Sequence, residues 1–207
     1  MLRTQLSQEN VKLAAFSRNN RLAYTREKTD SDKQVESYRF LPSSLVKGVW
    51  SKLDTEYSNN EHDEKVWDSN ILFIPSTFNS QTAKLIEESP THWSFDMEAS
   101  IGITVDTEKS DAQEDHNGVF RASVTVKKDP IQIDSFTVYS VGKFAPSLGV
   151  KVEKYSSYHE LTRLRDKGPL VITSLKETIS GSAGFFFSID EQTTIKNFDF
   201  VEHSFSH

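Results

Sequence analysis

The segment from Trp93 to Val105 constrains the fold more strongly than any other stretch of this chain. Its odd-numbered residues are all apolar: Trp93, Phe95, Met97, Ala99, Ile101, Ile103 and Val105. Its even-numbered residues are polar or glycine. Successive side chains of a β-strand leave opposite faces of the pleat, so this period of two predicts a strand with one apolar and one polar face. The pattern is also long, because an ordinary strand has about 5–6 residues and a membrane-spanning strand about 9–11.

A second alternating segment lies beyond the very polar segment 106–117 and predicts a hairpin over residues 93–127. Such a hairpin can rest on a soluble core, or it can line a membrane pore. In a pore, the residues expected to contact lipid are Phe95, Met97, Ile101, Ile103, Phe120, Val124 and Val126. The residues expected to face water are Asp96, Glu98, Arg121 and Lys127. A second long hairpin is predicted over residues 170–201.

Composition narrows the classes of function. The chain has no cysteine, which excludes disulfides, thiol catalysis and zinc–thiolate sites. The first ten residues contain no apolar run of the kind found in a signal peptide, and no segment reaches the roughly 18–20 apolar residues of a transmembrane helix. We therefore expect a protein that is cytoplasmic while soluble, and whose membrane activity, if any, uses strands or surface binding.

Motifs of catalysis are missing from the sequence. It contains no nucleophile elbow, phosphate-binding loop or dinucleotide fingerprint. His203 and His207 have the spacing of two metal ligands on a helix, but they lie outside any helical pattern and have no third ligand nearby. Aromatic residues do not interleave with Arg and Lys as they do on a nucleic-acid platform. We therefore expect no enzymatic activity, no cofactor, no bound metal and no nucleic-acid partner.

The net charge of −6 conceals a segregation of charge along the chain. Residues 1–52 carry a net charge of +5, whereas residues 53–118 carry −12. A basic surface attracts anionic partners, although the same charges can simply solvate a helix and a loop. The residues expected to touch anionic headgroups are Lys12, Arg18, Arg21, Arg26 and Lys28, with Leu13 and Phe16 reaching into the interface.

Apolar spacing and capping signals predict four helices, near residues 4–17, 44–53, 78–88 and 157–167. The last has the clearest signals, because Ser157-x-x-Glu160 is a capping box and Gly168 suits a C-cap. We therefore predict one α+β domain over residues 1–207, with a twisted, mainly antiparallel sheet, long hairpins and surrounding helices.

The order of these features resembles the pore-forming domain of the gasdermin family. That domain begins with a basic amphipathic helix, similar to Leu6–Phe16 with Lys12. A tyrosine-containing strand and a short helix follow in the family, and Tyr38–Leu41 and Ser44–Leu53 are similar. The long extension hairpin of the family is similar to residues 93–127.

The closest local match is the passage His159–Glu177 (HELTRLRDKGPLVITSLKE). The family has there a helix with Leu and Arg, a turn and a β-branched strand similar to LVIT. The resemblance covers most of residues 1–190 in order and spacing. The chain has no counterpart of the inhibitory C-terminal domain of the mammalian members or of the lipidated cysteine of short bacterial ones, so it looks most like the compact fungal members that act in non-self recognition and regulated cell death.

The resemblance implies a gasdermin-like protein that binds acidic lipids, oligomerises with identical or related subunits and inserts β-hairpins into the plasma membrane as a β-barrel pore, causing lytic cell death. The alternative is a soluble β-rich binding or scaffold module whose hairpins form an ordinary half-buried sheet. Leakage of dye from liposomes with acidic lipids separates the two hypotheses.

Overall fold

An antiparallel β-sheet dominates the structure, a computed structural model. The described residues are 1–42, 49–53, 71–100, 119–147, 149–184 and 187–204. Strands account for 69% of the structure, which contains one α-helix within these ranges. The predicted α+β fold with surrounding helices is therefore wrong.

Eleven strands follow the helix α1 (Leu2–Asn19) in the described part of the chain. They are β1 (Asn20–Thr29), β2 (Val35–Leu41), β3 (Val49–Lys52), β4 (Phe78–Glu88), β5 (His92–Ala99), β6 (Phe120–Lys128), β7 (Ile131–Ser140), β8 (Phe144–Ser147), β9 (Val150–Arg163), β10 (Leu170–Ala183) and β11 (Phe187–Ser204). The order across the sheet is β3-β2-β1-β11-β10-β9-β7-β6-β5-β4, with β8 pairing β9 beside this path. A short 3-10 helix at Pro75–Thr77 precedes β4.

The helix α1 covers one face of this sheet, and its sequence explains why. Leu2, Leu6, Glu9 and Phe16 are buried and recur at the spacing that places residues on one side of a helix. Leu2 and Leu6 join the main core cluster, whereas Phe16 packs in a second cluster with Leu22 and residues of neighbouring strands. The helix contacts both β4 and β1 and so reaches across the sheet.

The predicted helix 78–88 and the described part of the predicted helix 44–53 are strands, because pairing with a neighbour overrides local propensity. Residues 78–88 form β4, which pairs with β5 at one end of the sheet and has two register irregularities. Within the predicted helix 44–53, Val49–Lys52 forms β3 and pairs with β2. The preceding part of that prediction, residues 44–48, lies outside the described residues. Short apolar runs are known to be ambiguous between the two structures.

The predicted helix 157–167 is also wrong, despite its capping box. Residues Val150–Arg163 form β9, and the Oγ of Ser157 lies 2.7 Å from Nε2 of His159 instead of capping a helix. Ser157 and Leu161 are both buried, and residues four apart in a strand lie on the same face. This pattern fits a strand with one face toward the core. Gly168 closes a turn, donating its N–H to the carbonyl of Arg165 at 2.8 Å.

The β9–β10 pairing depends on one glycine. The register shifts between Ser180 and Gly181, where β10 approaches the backbone of Lys151 closely. A Cβ at Gly181 would lie 2.1 Å from the carbonyl oxygen of Lys151, well inside contact distance. Only glycine therefore permits this strand approach.

Candidate functional site

The apolar face of the first hairpin is buried in the main core. β5 and β6 are antiparallel neighbours, with Met97 opposite Ala122 and Phe95 opposite Val124. Met97, Ala122, Val124 and Val126 are 0% exposed and Phe120 is 1% exposed. Phe95 is half-buried against the same cluster, whereas Ile101 and Ile103 lie outside the described residues.

The covering elements of this face come from elsewhere in the chain. Leu2 and Leu6 of α1 and Phe73 belong to the same core cluster. Arg3 ties the start of the helix to β4, because its Nε donates to the carbonyl of Ser80 at 3.1 Å and its Nη2 to that of Gln81 at 3.3 Å. These contacts place α1 and Phe73 against the core to which the apolar face of the hairpin belongs.

The opposite face of the hairpin carries a polar network across three strands. Arg121 donates from Nε to Oδ2 of Asp96 at 2.9 Å, and the hydroxyl of Tyr139 donates to Oδ1 at 2.7 Å. Burial raises the pKa of the Asp96 carboxyl, but the hydrogen bonds from Arg121 and Tyr139 outweigh burial and leave that pKa below its ordinary value. The hydrogen bond with Asp96 raises the pKa of Arg121. The pKa of Tyr139 is also raised, mainly by burial and to a smaller extent by the Asp96 carboxylate. Asp96 and Arg121 are therefore ionised at neutral pH.

Hydroxyl side chains extend this polar face along the sheet. In the ladder between β6 and β7, Ser123 lies opposite Thr137, and Arg121 lies opposite Tyr139. On the next strand, Tyr158 lies opposite Thr137. Because paired residues share a face of the sheet, these groups form a continuous polar surface opposite the core.

One end of the hairpin carries three side chains that we call the base cluster: Glu88, Trp93 and Lys128. Lys128 Nζ lies 4.6 Å from the centroid of the Trp93 ring and 2.7 Å from Oε1 of Glu88. Nε1 of Trp93 donates to the same Glu88 oxygen at 3.1 Å. Hydrogen bonds from Lys128 and then from Trp93 lower the pKa of Glu88. Sequence reasoning missed this cluster, although Trp93 opens the alternating pattern and the two charges flank neighbouring turns.

A buried ion pair fixes the middle of α1 to the sheet. Arg163, at the end of β9, donates from Nη2 to Oε1 of Glu9 at 2.9 Å and from Nη1 to Oε2 at 3.2 Å. Arg163 also donates to the carbonyl of Gly168 at 2.7 Å and to Oε1 of Gln132 at 3.2 Å. The side chain of Glu9 is 2% exposed. We call this pair the α1 latch.

The predicted lipid-contact residues are not all on the surface. Arg26 is 1% exposed, and its Nε donates to Oδ1 of Asn197 at 2.8 Å. Burial lowers the pKa of Arg26. Phe16 is 4% exposed and Leu13 is half-buried. In this conformation Arg26 and Phe16 therefore contact the protein interior, so their contact with lipid stays a prediction for another state.

The other predicted headgroup contacts are distributed differently. Lys12 is half-buried and bonds Oε1 of Glu9 at 3.0 Å. Arg21 is exposed, and its Nη1 donates to the carbonyl of Ser17 at 2.9 Å. Lys28 is half-buried, and the side chain of Arg18 lies outside the described residues. Lipid contact by these residues also stays a prediction.

Two polar side chains of strand β9, His159 and Tyr155, are half-buried. The ring of His159 stacks on Phe136 with centroids 4.2 Å apart, and burial lowers the pKa of His159 to about 4. Its Nδ1 has no hydrogen-bond partner in the part of the chain that the structure describes. The hydroxyl of Tyr155 donates to Oε2 of Glu177 at 3.0 Å, and burial raises the pKa of Tyr155. Both side chains contact neighbouring strands of the sheet, His159 through Phe136 and Tyr155 through Glu177.

Metal-binding clusters and membrane-spanning helices are both absent from the described residues. Within them, no group of three or more His, Cys, Asp or Glu side chains could hold a metal ion. His203 lies on β11, whereas His207 lies outside the described residues. None of the helical residues in these ranges forms a helix long and apolar enough to cross a membrane.

Comparison with known proteins gives no identity for this arrangement. No family model, no curated protein and no solved structure gives a significant match to the chain.

Proposed function

We propose that this protein permeabilises membranes by releasing its first hairpin from the core and inserting it, together with those of other subunits, into a bilayer containing acidic lipids. The main observation behind this proposal is that β5 and β6 place apolar side chains on one face and polar side chains on the other. The apolar side chains that the structure describes on these two strands are buried or half-buried, and the opposite face carries the Asp96–Arg121–Tyr139 network. A transmembrane β-hairpin needs these two faces, one toward lipid and one toward water.

The topology also supports the proposal. Consecutive strands from β4 to β7 are neighbours in the sheet, so a hairpin can extend without rethreading the chain. Among the described residues, Leu2 and Leu6 of α1 and the packed aromatic residues share the core with this face and must separate from it on release. Unpaired backbone groups are costly in lipid, so inserted hairpins must close into a ring of several subunits. Of the gasdermin-like sequence features, the N-terminal helix α1 and the paired strands of the first hairpin support the proposal, whereas the helix expected within His159–Glu177 is part of strand β9. The proposal includes cytoplasmic storage, action at the plasma membrane and a role in regulated cell death.

The test is the release of a trapped dye from liposomes. We expect release from vesicles that contain acidic lipids and none from purely zwitterionic vesicles. Because the chain has no cysteine, a pair introduced as Arg3→Cys and Gln81→Cys provides a unique cross-linking site between α1 and β4. A short bismaleimide cross-link between them should abolish release, whereas each single variant treated with the same reagent should retain it.

Two results would count against the proposal. An uncross-linked protein that releases no dye from acidic vesicles favours the alternative, a soluble binding or scaffold module without membrane activity. Equal release by the cross-linked and uncross-linked proteins would show that the covered face of this hairpin is not the inserting surface.

A further inference from the structure

At the end of the first hairpin away from its tip, the residues that bound the apolar face are aligned across the three adjacent strands β4, β5 and β6. Glu88 on β4 lies opposite Trp93 on β5, and Trp93 lies opposite Val126 on β6, two residues before Lys128. Toward the hairpin tip, the same face continues with apolar residues such as Phe95, which lies opposite Val124. The base cluster therefore forms the boundary between an apolar face and a charged end.

We propose that the base cluster anchors this hairpin at the headgroup layer of a phospholipid bilayer, an inference that rests on the proposed function. Trp combines a large apolar ring with one N–H donor, and it is enriched at the level where hydrocarbon meets water. Lys128 is suited to the same level, because its side chain is 21% exposed and lies over the Trp93 ring, so the stem can stay in apolar surroundings while the ammonium reaches outward.

The length of the alternating pattern fits this placement. In the sequence, the pattern begins at Trp93 and ends at Val105. About 12 rises of about 3.3 Å, tilted by about 45°, cover roughly 28 Å, which is close to the apolar band of about 25 Å on a membrane β-barrel. Trp93 therefore falls at one edge of the band and not at its centre.

Exposed apolar side chains lie on β4 and on β7, the strands that flank β5 and β6. Leu85 is 52% exposed and Ile86 is 59% exposed on β4. Ile131, which lies opposite Lys128, is 48% exposed. Exposed apolar residues beside Trp and Lys form a surface that suits the boundary of a bilayer better than bulk water.

Fluorescence quenching by brominated lipids measures this depth directly. The chain has three tryptophans, so the substitutions Trp50→Phe and Trp67→Phe leave Trp93 as the single fluorophore. The matched control adds Trp93→Phe and Phe95→Trp to the same background. Phe95 lies on the same face two residues closer to the tip, which places the control fluorophore roughly 5 Å deeper for a tilted strand.

We expect acidic vesicles with bromines near the headgroups to quench Trp93 at least about twice as strongly as vesicles with bromines near the bilayer centre. The control should show a smaller ratio. Dye release is recorded on the same samples. Release accompanied by equal quenching from both depths, by deeper quenching of Trp93 than of the control, or by no quenching would overturn the anchor and leave the proposed function standing. Absence of release from acidic vesicles by the unmodified protein would overturn both.

Discussion

Breaking the α1 latch should loosen the helix that covers the first hairpin. Arg163 makes two hydrogen bonds to Glu9, whose side chain is 2% exposed, and Arg163 itself is 18% exposed. Removing one partner of a buried ion pair typically costs about 3–5 kcal/mol. Lys12 still neutralises Glu9 when Arg163 is changed, so we expect Arg163→Gln to lower the free energy of unfolding by about 3 kcal/mol.

A double-mutant cycle isolates the latch from other effects of substitution. Glu9→Gln should cost about the same as Arg163→Gln, and the double variant should cost less than the sum by about 2 kcal/mol, because the second change removes no further ion pair. Lys12→Gln is the matched control. It removes a partly exposed pair on one helix, which is worth only about 0.5 kcal/mol.

Urea unfolding gives the stability of each variant, and hydrogen exchange of the α1 amides reports the local opening. Exchange in α1 should rise by about tenfold for each 1.4 kcal/mol by which the latch lowers the opening free energy. The reasoning is refuted if the α1 amides of Arg163→Gln exchange no faster than those of Lys12→Gln, or if the two single costs add fully. If the proposed function is right, the latch variants should also release dye faster than the unmodified protein.

Three further predictions concern other parts of the chain. Gly181→Ala should lower the melting temperature by several degrees, because the added Cβ would lie 2.1 Å from a carbonyl oxygen of the paired strand. The control is Gly142→Ala, because a Cβ at Gly142 would have no atom within 4 Å. Equal changes in melting temperature for the two variants would refute the close approach at Gly181. The pKa of His159 is lowered to about 4, so the unfolded chain binds more protons and stability falls as the pH falls; between pH 6.5 and 5 we expect the free energy of unfolding to drop by about 1.6 kcal/mol in urea unfolding, and His159→Leu should abolish that part of the pH dependence. Reversing Arg18 and Arg21 to Glu should weaken co-sedimentation with acidic vesicles by about 1 kcal/mol for each charge removed, and unchanged binding would exclude this patch.

Local patterns in the sequence were sufficient to predict some elements of the fold. The alternation around Phe95 and Val124 predicted strands, and both residues lie on strands that pair with each other. The stripe of Leu6 and Phe16 predicted a helix over residues 4–17, and α1 spans Leu2–Asn19. These patterns depend only on the pleat of a strand or the turn of a helix, so they can be read without knowing which segments become neighbours.

Strand pairing decided the elements that local propensity assigned incorrectly. The segment 78–88 has several good helix formers, but its backbone groups find partners on β5, and it becomes a strand at one end of the sheet. The capping box at Ser157 is a real local signal, yet the segment pairs with β7 and β10 on both sides. Ladder hydrogen bonds to two neighbours and burial of one face outweigh a single cap, which is worth about 1 kcal/mol.

The candidate surfaces show the same division between sequence and tertiary structure. The polar and apolar faces of the first hairpin follow from the alternation alone, because residues two apart share a face. The α1 latch joins Glu9 to Arg163, which is 154 residues away, and burial of Arg26 depends on Asn197, which is 171 residues away. The sequence alone determined which side chains can form these contacts, whereas only the tertiary structure brought the partners together, because the pairing of distant strands depends on the whole sheet and not on any local pattern.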